Sequence, residues 1–157
     1  MMSSGTAPVS RLIAEDRFAV LDMLADQWAR VDRVTELPTE ALYLPDAELQ
    51  IGSLLLTGQA AITAHYENRR AQEDETGRRT RHIISNVRFD SFDEVEASFA
   101  FLAVVHAGVG TMPFAAAPPS TIADFSATCR HIADGWCFQS LHGTVVFAGA
   151  GAAPFAR

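Results

Sequence analysis

Lysine is absent. All twelve cationic residues of the 157-residue chain are arginine. No side-chain amine can therefore form a Schiff base or act as a lysine general base. Cysteine occurs only at Cys129 and Cys137, which is too few for a metal finger. A tight hairpin at Asp134-Gly135 would set Cys137 near Ile132 and Cys129 near Ser140, so no disulfide is expected. Unpaired thiols fit a reducing cytoplasm. No apolar run reaches the ~18 residues of a membrane helix. Residues 1–9 lack the basic-then-apolar order of a signal peptide. Phosphate-binding glycine loops and the G-x-S-x-G elbow are missing. So are HxH and HxxxH pairs, and no metal or cofactor is expected.

What is present describes a globular domain. Apolar residues are 48% and charged residues 20%. A chain of this length buries roughly two thirds of its unfolded surface without staples. The net charge of −7 opposes nucleic-acid binding, which depends on neutralising phosphates. One domain over residues 1–157 is expected, with its core at 10–148 and loose ends at 1–9 and 149–157.

From Ser10, a plausible N-cap, apolar residues recur at steps of three and four. Ile13, Val20, Leu21, Leu24, Trp28 and Val31 trace one stripe, and the helix should end near Asp32 or Arg33. A shorter helical piece is read over residues 35–43, then a turn at Pro45-Asp46 and a strand over 48–56. A helix over 59–72 turns Ile62 and Tyr66 inward. Four β-rich stretches follow, at 80–89, 96–107, 123–133 and 136–148. The Pro/Ala-rich segment 108–121 between the second and third reads as a loop. Helices followed by an antiparallel meander is an α+β order, and a bent sheet over the first helix would enclose a pocket.

Three residues could carry chemistry there. Asp32 continues the buried stripe of the first helix, where burial or a partner can tune a carboxylate. His82 shares a strand face with Ile84, Asn86 and Arg88. His106 shares a face with Leu102 and Val104 on the next strand. If the short connection at 90–94 centres the register, Val104 lies opposite His82. His106 is then one diagonal away on the same face, ~7 Å between Cβ atoms. A slip of one residue would reverse one of them. Trp28, Ile84, Asn86 and Leu102 would line the pocket and contact substrate, and Asp124 and Ser126 could add polar groups. His65, His131 and His142 read as surface or internally satisfied. Ile83, Val87, Phe99, Phe101 and Val105 read as an apolar open face suited to self-association.

The long helix ending in aspartate, "TGRRTRHIISNVRF", "FLAVVH" and "FSATCRHIADGWCFQSLHGTVVF" together resemble the SnoaL-like branch of the NTF2-like superfamily, over about residues 10–148. The resemblance implies a cone-shaped α+β fold (cystatin-like) with an internal pocket. In spacing the chain is most similar to scytalone dehydratases, whose aspartate and two histidines match Asp32, His82 and His106. Their two water-holding tyrosines correspond to Val31 and Ile51, and their serine and asparagine to Asp124 and Ser126. Hexachlorocyclohexane dehydrochlorinases are also similar, but their helix-1 lysine is Gln27 here. The resemblance implies a cofactor-independent lyase or isomerase, dehydratase- or cyclase-like, acting on a small apolar carbonyl-containing or polyketide-like compound. His82 would be acid or base, Asp32 its orienter, and His106 would stabilise developing charge. The alternatives are a non-catalytic small subunit of an aromatic-ring-hydroxylating dioxygenase and a ligand-binding protein of the same fold. A homodimer or homotrimer is implied.

Overall fold

The computed structural model describes residues 9–157, with side chains from Ala14 onward. The stretch before residue 9 and the side chains of Ser10 and Ile13 lie outside what is described. The order is α1 (Val9–Val31), a 3-10 turn (Thr39–Leu42), β1 (Tyr43–Ile51), β2 (Leu54–Thr57), α2 (Gln59–Thr76), β3 (Arg79–Phe92), β4 (Glu96–Gly108), β5 (Thr121–Ile132), β6 (Gly135–Ala148) and a last 3-10 turn (Pro154–Ala156). The strands form one sheet in the order β2-β1-β6-β5-β4-β3. All neighbours are antiparallel except β1 and β6. Two helices packed on a six-strand mixed sheet that does not close make an α+β fold.

Helical and strand periodicities meet in one core. On α1, Val20, Met23, Leu24, Gln27, Trp28 and Val31 are buried at steps of three and four. Their partners alternate along the strands: Ala97, Phe99, Phe101 and Ala103 on β4, and Ala123, Phe125, Ala127 and Cys129 on β5. Phe101 and Phe125 stack with ring centroids 5.0 Å apart. Each such ring contributes about 1.5–3 kcal/mol by leaving water. Val87 packs against this core and Phe99 and Phe101 belong to it, so these residues are not the open face. Only Ile83 of the expected set stands out from the sheet, 55% exposed.

Several boundaries shift for local reasons. Residues 35–38 are not helical, because Pro38 is extended (φ −71°, ψ 127°) and only one 3-10 turn follows. β1 begins at Tyr43, passing through Pro45 and Asp46 with an irregular register against β6. It ends at a reversal on Gly52, whose φ of +56° suits glycine. α2 runs on to Thr76 and stops at Gly77 in the left-handed conformation. The β5–β6 turn places Cys137 opposite Arg130 and Cys129 opposite Phe138, and both thiols are free. The C-terminal segment is not loose: Ala152 and Ala156 are buried, and the Ser53 amide donates to the Phe155 carbonyl at 3.0 Å.

Candidate active site

Asp32 follows the last turn of α1, its amide still donating to the Trp28 carbonyl at 2.8 Å. Arg33 then turns the chain with φ 55°, and the Asp32 side chain meets the start of β3. There it is saturated. Asp32 Oδ1 accepts from Thr80 Oγ1 at 2.7 Å and lies 2.6 Å from His82 Nδ1. Oδ2 accepts from the His82 amide at 2.7 Å. Arg69 on α2 donates to Thr80 Oγ1 at 2.9 Å. A chain of hydrogen bonds therefore runs Arg69, Thr80, Asp32, His82. Trp28 lies one turn before Asp32 on α1 and stacks on the imidazole at 4.3 Å between centroids.

The pair is dry: Asp32 is 5% and the His82 side chain 9% exposed. Burial alone would raise the Asp32 carboxyl, but the hydrogen bonds and charge interaction with His82, with Thr80, outweigh it and hold it below the usual range. Burial also pushes the His82 imidazole down, against the opposing hydrogen bond to Asp32, and the Arg69 and Arg78 charges push the same way as burial. The ground state is therefore an ionised aspartate and a neutral histidine. An ionised carboxylate requires the proton on Nδ1, which leaves the Nε2 lone pair open. Nε2 has no hydrogen-bond partner among the described residues, and the ring lines a hollow of about 60 Å³.

That hollow is walled by Trp28, His82, Val105, Phe125, Tyr66 and Phe155. At ~30 Å³ per water it holds about two waters. A ring-sized compound enters only if a wall gives way, and the C-terminal turn Pro154–Ala156 belongs to neither long helix nor sheet. A larger hollow of about 620 Å³ lies between β3, β4 and the 112–117 loop, but the carboxylate and imidazole do not face it. Chemistry, not volume, decides between the two.

Three of the expected site residues, Asp32, His82 and Trp28, meet here. His106 does not. It pairs with Arg81, while His82 pairs with Val105, so His106 lies on the outer side and lines the larger hollow. Asn86 is exposed with φ 56°. It sits at an irregularity of β3 that turns Val87, not Asn86, back toward the core. Leu102 pairs with Asp124. With Asn86 they line a separate depression, and Asp124 and Ser126 are exposed. Ile84 packs on the core without lining the Asp32–His82 hollow. Asp32 and His82 thus lie on one side of the sheet and His106 on the other. Among the described residues no cluster of three or more His, Cys, Asp or Glu could hold a metal.

Thr80, Arg69, Arg78, Tyr66 and His65 also line the hollow, and the sequence reading did not assign them to it. Some signals existed. Thr80 is two residues before His82 and so shares its face. Ile62, Tyr66, Arg69 and Glu73 continue the inner stripe of α2. His65, read as an ordinary helical residue, stands beside Tyr66 and Phe155.

The fold and the buried Asp–His pair define a small α+β domain built around an internal pocket. The chain belongs to the SnoaL-like domain family, whose model matches residues 13–142. A candidate scytalone dehydratase from Novosphingobium aromaticivorans has the same fold, with TM-score 0.73 and 18% identity over 89% of this chain and 90% of that one. A candidate aromatic ring hydroxylase from the same organism aligns with TM-score 0.71 and 15% identity over 97% and 100%. A type 2 hexachlorocyclohexane dehydrochlorinase aligns with TM-score 0.67 and 18% identity over 90% and 95%. Comparison with curated proteins by sequence finds no match. Among the described residues no helix is long and apolar enough to cross a membrane.

Proposed function

We propose that the protein is a cofactor-independent lyase or isomerase that uses His82 and Asp32 for acid–base catalysis on a small, mostly apolar carbonyl compound. The observation that carries this reading is the 2.6 Å contact between His82 Nδ1 and Asp32 Oδ1 inside a hollow lined by the same imidazole. His82 Nε2 takes a proton from the carbon beside the carbonyl, and Asp32 stabilises the imidazolium. The same proton, returned to a β-hydroxyl, expels water; returned to another carbon, it gives an isomer. The Trp28 face stacked on the ring holds it in one orientation. His106 takes no part in this scheme, because it lies across the sheet.

The non-catalytic alternatives leave a saturated, desolvated Asp–His pair without a task. The test is elimination from a β-hydroxy aryl ketone, followed by enone absorbance, together with deuterium exchange at the α-carbon of the parent ketone. Both reactions are expected, and His82→Asn should slow each by about 10²–10⁴-fold, the usual contribution of a positioned base. A variant that keeps its rate within threefold overturns the assignment.

A further inference from the structure

The hollow is lined by two arginines, Arg69 and Arg78, beside His65 and His82, and the partners of the arginines differ. Arg69 is committed: its Nε lies 2.9 Å from Glu73 Oε1, and its Nη2 donates to Thr80. The Asp32 carboxylate is committed too, to Thr80 and His82. Arg78 follows the Gly77 turn at the end of α2 and lines both the hollow and an adjoining cleft of about 260 Å³. The two spaces share Ala153 and Phe155 as walls. Among the described residues Arg78 forms no ion pair, and its Nη2 donates to the Gly151 main-chain carbonyl at 3.0 Å. A single neutral carbonyl uses little of a five-donor fork whose geometry matches a carboxylate. The Glu73 carboxylate, whose charge reaches Arg78, is itself paired with Arg69, so this half-buried guanidinium keeps donors free for a further anion.

We infer that Arg78 receives a carboxylate of the ligand in place of the Gly151 carbonyl, so that the compound reaching His82 is an apolar carbonyl compound that also carries a carboxylate. This rests on the hollow being the reaction site. The apolar body of the ligand lies against Trp28 and Phe125, and its anionic end points back toward the cleft between α2 and the C-terminal segment. The proximity of Arg78 to the base is felt electrostatically, since its charge helps to keep the His82 imidazole neutral. A ligand carboxylate there would offset that effect.

The experiment is calorimetric titration at low salt with phenylacetate and with phenylacetamide, a charged and a neutral probe of nearly equal shape. Wild type should bind phenylacetate at least about tenfold more tightly, as a charge-assisted pair warrants. Arg78→Gln should bring the two affinities within about twofold of each other by weakening phenylacetate alone. Arg88→Gln, which removes a guanidinium 74% exposed, should leave the ratio unchanged. If Arg78 only tethers the C-terminal segment, Arg78→Gln shifts both probes alike, and that result overturns the proposal. So does a wild-type ratio near one, or no phenylacetate binding at millimolar concentration. His82→Asn should keep the ratio while losing turnover. A ratio that holds while His82→Asn still turns over would sink the acid–base reading and leave the carboxylate site standing.

Discussion

His82 and His106 stand on neighbouring strands, and His82 pairs with the residue that precedes His106. One imidazole is stacked on Trp28 and bonded to a buried aspartate. The other faces a groove roofed by Met112, Pro113 and Phe114. The two faces of the sheet hold similar residue types: His82 and Asp32 inside, His106 and Asp124 outside. Only the inner pair is brought together and desolvated. What separates them is one position of register and the presence of α1, which delivers Asp32 to the inner face and nothing to the outer one.

The largest expected effects are those that break the inner pair. Asp32→Asn should lower kcat/KM by at least about 10²-fold, because an amide cannot stabilise the imidazolium and disturbs the tautomer. Because the two residues act as one unit, the Asp32→Asn/His82→Ala double variant should lose little more than His82→Ala alone. Additive losses, multiplying to the product of the single effects, would show that the pair does not function together.

The same pair predicts a pH dependence. The Asp32 carboxyl sits below its ordinary 3.8, so its stabilisation is present above that value and lost as pH falls through the folded-state value. The His82 imidazole sits below its ordinary 6.5. The unfolded chain therefore binds a proton first, and stability falls as pH drops below 6.5 toward the folded-state value. Both groups act in the same direction. Urea midpoints should fall from pH 7 to pH 5, and His82→Gln should flatten that slope. The acid limb of kcat/KM in the free enzyme should lie below 6.5. A limb above 6.5 would mean that burial does not dominate at His82.

The legible part of this arrangement was the part written in local periodicity. Asp32 extended the α1 stripe through Leu24 and Trp28, and His82 alternated with Ile84, so both could be placed without knowing the sheet. His106 required a register, and that register depends on which residues make the β3–β4 turn, which composition does not mark. The Asp93 amide donates to the Glu96 carbonyl, so the hairpin turns at Glu94-Val95 and His82 meets Val105 instead of Val104. The shifts between Ser85 and Arg88 and between Phe89 and Ser91 add two residues in all and leave His106 on the far face. Asn86 is turned outward by the shift between Ser85 and Arg88, and Leu102 shares the far face of β4 with His106. The Gly/Ala tail was illegible for another reason. Its role comes from long-range contacts, the Ser53 amide to Phe155 and the ring of Phe155 near His65, which no local pattern encodes.

A smaller effect contrasts the faces within one strand. A Cβ at Gly143 would meet the Phe125 ring at 2.7 Å, and that ring is fixed between Trp28 and Phe101. Gly143→Ala should cost about 1–3 kcal/mol by overpacking and should disturb the wall of the hollow. Thr144, next along β6 and exposed, pairs with Asp124. Thr144→Ala should change stability by no more than about 0.5 kcal/mol. Denaturant titration of both variants measures the difference, and equal costs would mean that the inner face is no better packed than the outer.

The smallest effects belong to the outer polar residues themselves. Asp124 is exposed, and His106 opens onto a groove that Asp32 and His82 do not line. His106→Ala and Asp124→Ala should each leave kcat/KM within threefold of wild type, against losses of about 10²-fold or more on the inner face. The contrast is informative because His106 is only one residue away from a position that would face the hollow. If His106→Ala instead cost tenfold or more in kcat with stability intact, β4 would have to slip by one residue in the working protein. Slipping β4 would also carry Phe99 and Phe101 out of the core they now fill. Their burial, about 1.5–3 kcal/mol for each ring, is what holds His106 on the outside.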